Sequence, residues 1–168
     1  LIDSSLKLQD SEMESALLAT LFYRSPKEKL KLDLIEVCTP MDSPLTETLL
    51  NRGGTAERWG LWNFNLSTDK GFIMAQHRLR MMQPRHLWLS PPCTMFSSMQ
   101  NAYPWHKLDL AQQNERKQKY KRAVTVWNRC ISLALQQISQ GGHAHIENPL
   151  RSSAVSYTHL TLPTMRTV

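Results

Sequence analysis

The sequence predicts an α/β domain built on a mostly parallel sheet. Three observations lead there. Short runs of apolar, β-branched or aromatic residues stand at residues 29–37, 86–89 and 143–146. A long segment of helical periodicity separates the last two. Gly, Pro and Asp stand where such elements start and stop. Strand, long helix and strand make a βαβ unit, whose strands run parallel with a right-handed crossover.

Bulk properties bound the function classes. A chain of 168 residues with 41% apolar residues and five tryptophans has material for one core. The net charge of +6 leans towards anionic partners, nucleic acid among them. The three cysteines, Cys38, Cys93 and Cys130, are odd in number and far apart, without zinc-ligand spacing. That argues for a reducing, intracellular compartment over a disulfide scaffold, the nucleus if the source is eukaryotic. No apolar run is long enough for a membrane-spanning helix, so no membrane partner is expected.

Residues 1–28 read as a linker with a short helix. Ser11 and Glu14 form a capping-box pattern, and Met13, Leu17 and Leu21 follow at helical spacing before Pro26. The first residue is Leu, and the N-terminus is expected to be a fragment edge. Residues 29–150 are the expected α/β domain. Residues 29–37 form its first strand, ending at Glu36, and a loop follows with Cys38, Pro40, Asp42 and Pro44. Residues 45–51 suit one or two helical turns closed by Gly53-Gly54. The aromatic stretch 55–65 holds a second strand. Asp69 is the expected cap of a helix running to Met82, with Phe72, Ile73, Gln76, Leu79 and Met82 along one face. Pro84 ends it.

The strand at residues 86–89 leads into Ser90-Pro91-Pro92-Cys93. Two prolines stop the ladder and stiffen the turn, so the thiol is presented at a strand end. Asp109 caps the longest helix, residues 110–139, with an apolar stripe of Tyr120, Val124, Trp127, Ile131, Ala134, Leu135 and Ile138. Gly141-Gly142 close it, and the strand at 143–146 runs into Glu147-Asn148-Pro149. Parallel neighbours finish on the same edge, so Cys93, Glu147 and Glu36 are expected around one crevice at the carboxyl ends of the strands.

Residues 151–168 are an expected non-native tail. The run Val155-Ser156-Tyr157-Thr158-His159-Leu160-Thr161-Leu162-Pro163-Thr164 looks like one reading frame of a transposon-end sequencing adapter. The alternative is a genuine polar, β-prone tail.

Pro92-Cys93-x-x-Phe96-Ser97 after one strand, with Glu147-Asn148 ending the next, resembles the catalytic half of DNA cytosine-5 methyltransferases. The resemblance covers roughly residues 32–149. It implies a partial Rossmann-like, S-adenosyl-L-methionine-dependent fold, truncated at the C-terminus, acting on DNA in the parent protein. It makes Cys93 the nucleophile that adds to cytosine carbon 6, and Glu147 the acid at ring nitrogen 3. It puts Ser97 and Asn148 on the substrate side, supporting the loops. Glu36, Asp42 and Asn65 are the residues it points to for the cofactor. The glycine-rich cofactor loop of that family is replaced by Glu36-x-Cys38-x-Pro40-x-Asp42, and its ribose-binding acid has only Asn65 as a counterpart.

Bland readings stand beside these. A lone Cys is more often a small buried hydrophobe, and a Glu before Asn-Pro can be a turn residue. The basic residues in 116–122 suit phosphate contact or, more often, a solvated helix face. Trp59, Trp62, Trp88 and Trp127 read as core, and Trp105 as the one that can stack on a base. His143 and His145 share a strand face, but no further metal ligand is evident, so no metal is expected. Three functions remain open. They are a cytosine-5 methyltransferase fragment, inactive by itself; a degenerate, non-catalytic copy within a mobile element; and an unrelated α/β interaction module.

Overall fold

The computed structural model describes residues 32–97, 100, 107–149, 152 and 153. The helix expected within 1–28, Trp105 and most of 151–168 lie outside the described residues. The elements follow in the order β1 (Leu34–Val37), α1 (Pro44–Asn51), β2 (Ala56–Trp59), α2 (Asp69–Met82), β3 (His86–Leu89), a single 3-10 turn (Thr94–Phe96), α3 (Leu110–Ser139) and β4 (His143–Ile146). The four strands form one all-parallel sheet in the order β2-β1-β3-β4. The domain is therefore α/β, and its sheet is compatible with a Rossmann-like arrangement.

The register aligns the strands in rows. Glu36 lies beside Arg58 and Trp88, and Trp88 beside His145. Val37 lies beside Trp59 and Leu89, and Leu89 beside Ile146. Side chains alternate between faces along a strand. Ile35, Val37, Leu87, Leu89 and Trp59 therefore share one face, where they pack with Ala75, Leu79 and Met82 of α2 and Cys130, Leu133 and Ala134 of α3. Glu36, Trp88, His86, His143 and His145 belong to the other face.

The strand order explains this division. From β1 the chain steps outward to β2, then returns past β1 to β3 and on to β4. Right-handed crossovers taken in opposite directions put their helices on opposite faces. Accordingly α2 and α3 share the apolar core, whereas α1 reaches Glu36 on the other face through Thr46.

Local chemistry sets the boundaries. Asp109 and Gln112 close a reciprocal capping box at the start of α3. The cap of α2 is Thr68, one residue before the expected Asp69; its hydroxyl accepts from Gly71 N at 3.1 Å. Asp69 instead opens the helix and pairs with Arg129 of α3. Gln83 takes left-handed geometry (φ 42°) to end α2 ahead of Pro84. Gly141 does so after α3 (φ 82°), where a side chain would be strained.

The helical stripes are shifted from those expected. In α2 the buried row is Gly71, Ala75, Leu79 and Met82, while Ile73 is 62% exposed. In α3 the buried residues are Trp127, Cys130, Ile131, Leu133, Ala134 and Gln137, with Leu135 and Ile138 exposed. Apolar residues flanking a stripe satisfy the same spacing without facing the core. Trp59 and Trp127 are core; Trp62 is exposed and Trp88 half-buried. Among the described residues no helix is long and apolar enough to cross a membrane.

Candidate functional site

The strand order reverses between β1 and β3, and in open parallel sheets ligands bind outside the carboxyl ends of the strands at such a switch point. Two loops flank it: the one after β1, starting at Cys38, and the one after β3, carrying Cys93. Ser90 N donates to Val37 O at 3.0 Å, carrying the β1–β3 ladder up to the second loop. Pro91 and Pro92 have no N–H to continue it.

Cys93 opens the 3-10 turn, and its carbonyl accepts from Phe96 N at 2.9 Å. The thiol residue is half-buried. One turn later Phe96 is buried against Trp127 and Ile131, with ring centroids 5.8 Å from Tyr120 and 6.1 Å from Trp127. The turn is thus pinned to α3 three residues beyond the thiol. Further bonds hold it: Gln100 Nε2 donates to Thr94 O at 3.0 Å, Arg116 to Gln100 O at 2.6 Å, and Ser153 Oγ to Phe96 O at 3.1 Å. Ser97 ends the turn, half-buried, its carbonyl accepting from Gln100 N.

Glu147 leaves β4 at the same sheet edge. Its N–H donates to Leu89 O at 2.9 Å, so the β3–β4 ladder also runs one residue past the strand. Its exposed carboxylate takes the Trp88 indole N–H at 3.1 Å and the Ser90 hydroxyl at 3.5 Å, both on Oε2. Trp88 stacks on His145 at 5.3 Å, which fixes the indole. Cys93 and Glu147 are brought to one edge by adjacent strands, and no hydrogen bond joins them. The carboxylate is held towards the Trp88 face, and the Cys93 turn is anchored on the α3 face. Beside Glu147, the Asn148 amide has its nitrogen and oxygen buried without a partner among the described residues. Such groups are rare in folded proteins and mark a place where a contact is missing or strain is stored.

The β1 side is furnished differently. Glu36 is 5% exposed. Oε1 accepts from Thr39 at 2.9 Å and Ser43 at 2.6 Å, and Oε2 from Thr46 at 2.6 Å. Asn65 Oδ1 accepts from Ser67 N at 2.9 Å and Ser67 Oγ at 2.7 Å, a local turn of its own. The first turn of α2 lies on Asn65, and a Cβ at Gly71 would come within 2.2 Å of its carbonyl oxygen. Asp42 is exposed, without a hydrogen bond among the described residues. Glu36 is thus engaged inside the protein by three hydroxyls, while Asn65 is half-buried with its Oδ1 in a local turn.

Several partners are not legible one residue at a time. Trp88 and Ser90 meet Glu147 through register. The hydroxyls three, seven and ten residues after Glu36 were its only sequence trace. His86 joins His145, Nδ1 to Nε2, at 3.1 Å, and stacks on His143 at 5.1 Å. Burial lowers the pKa of His86 and His145, and their positive neighbours, His143 among them, add to it. Among the described residues no three His, Cys, Asp or Glu side chains are placed to hold a metal. Cys38 lies at φ 62°, left-handed geometry uncommon for a non-glycine residue, with its Sγ 3.9 Å from Cys130 Sγ. Sulfur–sulfur hydrogen bonding lowers the Cys38 pKa; the same contact and burial raise that of Cys130 well above the ordinary thiol.

Of the basic residues in 116–122, Lys117, Lys119, Lys121 and Arg122 are exposed, Lys119 pairs with Glu115 at 2.7 Å, and Arg116 is spent on the Cys93 loop. Two cavities lie away from the crevice. One of about 620 Å³ is lined by Asp33, Pro84, Arg85, Gln137 and His143, at the amino ends of the strands. One of about 310 Å³ lies between β2 and α2 at Glu57 and Arg78. No protein-family model, curated protein or solved structure matches the chain.

Proposed function

We propose that this domain is the nucleophile-bearing half of a cytosine-5 DNA methyltransferase-like protein, able to form the covalent cytosine adduct but not to complete methyl transfer by itself. What supports the reading is the continuation of the β3–β4 ladder through Glu147 N to Leu89 O. It brings Glu147 to the sheet edge that carries the Cys93 turn, with the carboxylate towards the Trp88 face and the turn against α3, so a base would have to reach both across that edge.

In this reading the Cys93 thiolate adds to carbon 6 of a cytosine that has left its stack. Glu147, positioned by Trp88 and Ser90, gives a proton or hydrogen bond to ring nitrogen 3 as electrons move into the ring. The resulting enamine takes a proton at carbon 5. Loss of a carbon 5 proton and expulsion of the thiolate return cytosine. Ser97 and Asn148 support the two loops on the substrate side, and DNA is the partner. S-adenosyl-L-methionine would be the methyl donor of the parent protein, and Glu36, Asp42 and Asn65 the residues on its side of the crevice, Glu36 being held by three hydroxyls.

The test follows from that reversible addition. DNA or a single-stranded oligonucleotide tritiated at cytosine carbon 5 is incubated with the protein, and tritium release to water is counted. Release is expected without any methyl donor, with at least about a 100-fold loss in Cys93→Ser and in Glu147→Gln. Release that persists in Cys93→Ser removes the nucleophile from its role.

A second reading is favoured by one observation, the saturation of Glu36 by three hydroxyls. It makes the domain a degenerate, non-catalytic copy that keeps the fold. Absence of tritium release, together with no calorimetric heat on adding S-adenosyl-L-methionine, is its signature.

A further inference from the structure

We propose that Cys38 and Cys130 form a reversible disulfide that locks the loop after β1 to the middle of α3. Their sulfurs stand 3.9 Å apart although the residues are separated by 92 positions in the sequence. A disulfide needs about 2.05 Å, so the two must close by roughly 2 Å. The residues belong to different elements, and both thiols are free.

Their surroundings differ in a way that suits the exchange. Cys130 is fully buried in the core shared by α2 and α3. Cys38 is half-buried, at the start of the loop that flanks the switch point. Its left-handed backbone turns the chain off β1 while its side chain still packs on the core cluster. Cys38 N donates to Trp59 O at 2.8 Å, which holds the residue in that turn. Cys38 is thus the thiol that an oxidant reaches first, and Cys130 the one that resolves the product. The lowered pKa of Cys38 and the raised pKa of Cys130 run in the same sense.

With a hydroperoxide as oxidant the steps balance. The Cys38 thiolate attacks a peroxide oxygen, the O–O bond breaks, and hydroxide or alkoxide leaves, giving Cys38 sulfenic acid. Cys130 gives up its proton and attacks the Cys38 sulfur; the S–O bond breaks and water leaves. Two thiols lose two electrons in total and the peroxide gains them. A small dithiol reverses the bond by thiol–disulfide exchange. The consequence falls on the β1–α1 loop, whose Thr39 and Ser43 hydroxyls hold Glu36. This pair does not depend on what Cys93 does.

The reduced full chain is exposed to hydrogen peroxide, quenched with N-ethylmaleimide, digested and mapped by mass spectrometry. The expected result is a mass loss of two hydrogens, a Cys38–Cys130 cross-linked peptide and reversal by dithiothreitol. The cross-linked protein should melt higher by about 5–10 °C. Cys93→Ser should cross-link as the parent does. Cys130→Ser and Cys130→Ala should instead leave a Cys38 sulfenic acid that dimedone traps; the pair of variants guards against one of them failing to fold. The proposal is overturned if Cys38 and Cys130 both remain alkylatable after oxidation. It is equally overturned if the cross-link involves Cys93, or if the Cys130 variants show the same mass loss.

Discussion

Glu36 and Glu147 stand at the carboxyl ends of two parallel strands in one sheet, yet their surroundings are opposite. Glu36 is buried, with three hydroxyl donors supplied by the loop and helix that follow it. Glu147 is exposed, with an indole N–H and a distant serine hydroxyl on one oxygen only. A carboxylate at a strand end is therefore not a functional signal in itself. Its donors decide the role: a full set makes it a rivet, and a partial set leaves capacity for a ligand.

The difference can be broken most strongly at Glu36. Glu36→Ala strands three buried hydroxyls and opens a void, for an expected loss of about 3–5 kcal/mol in urea denaturation. Glu147→Gln should change stability by less than about 0.5 kcal/mol while lowering tritium release at least about 100-fold. A Glu36→Ala protein that unfolds like the parent would make the two carboxylates equivalent after all. Phe96→Ala comes next. Removing the anchor of the Cys93 turn should cost about 3 kcal/mol, and it should lower exchange at cytosine carbon 5 in protein that remains folded. Unchanged exchange in that folded fraction would mean that the turn holds its thiol without α3.

The smallest effect lies with the histidines on the Trp88 face. His86 and His145 have folded-state pKa values below the ordinary 6.5. The unfolded chain therefore binds protons more readily as pH falls through that value, and stability present above it is progressively lost below it. The two histidines face each other, with His143, Arg85 and Asp33 also against His86, and His143 and Trp88 also against His145. Melting scans between pH 7.5 and about pH 5 should show a modest fall in Tm, flattened in the double variant His86→Gln, His145→Gln. A melting temperature that rises on acidification would reverse the assigned direction.

Much of the architecture was legible because boundaries are written locally. Asp109 with Gln112, Gly141, and the prolines at 84, 91 and 92 act through their own backbone, so β3, α3 and β4 stand where the pattern puts them. Faces were harder. Ile73, Leu135 and Ile138 fit helical spacing yet point outward, because the core's position across the helix is set by the neighbouring sheet. That Cys93 and Glu147 follow the ends of adjacent parallel strands was legible too. Their supports were not. Trp88 reaches Glu147, and His86 reaches His145, through strand register, and Cys38 meets Cys130 across 92 residues. The engagement of Glu36 was written in hydroxyls at positions 39, 43 and 46, whose convergence requires the loop and α1 to fold over the strand.

Helix α3 carries a mechanical consequence. Its 30 residues span about 45 Å, whereas a four-residue strand spans about 13 Å. Its core contacts run from Tyr120 to Gln137, so the arm from Leu110 to Tyr120 extends roughly 15 Å beyond them. That arm is a lever with its fulcrum in the core, beside Cys130. A tilt of about 5° there swings the tip by roughly 2 Å. The Cys93 turn is tied to the lever through Tyr120 and Arg116, while Glu147 rides on the sheet. Phe96 also seats the turn on Trp127 and Ile131 at the fulcrum, so a staple at Cys130 would fix the stretch of helix on which the Cys93 turn rests.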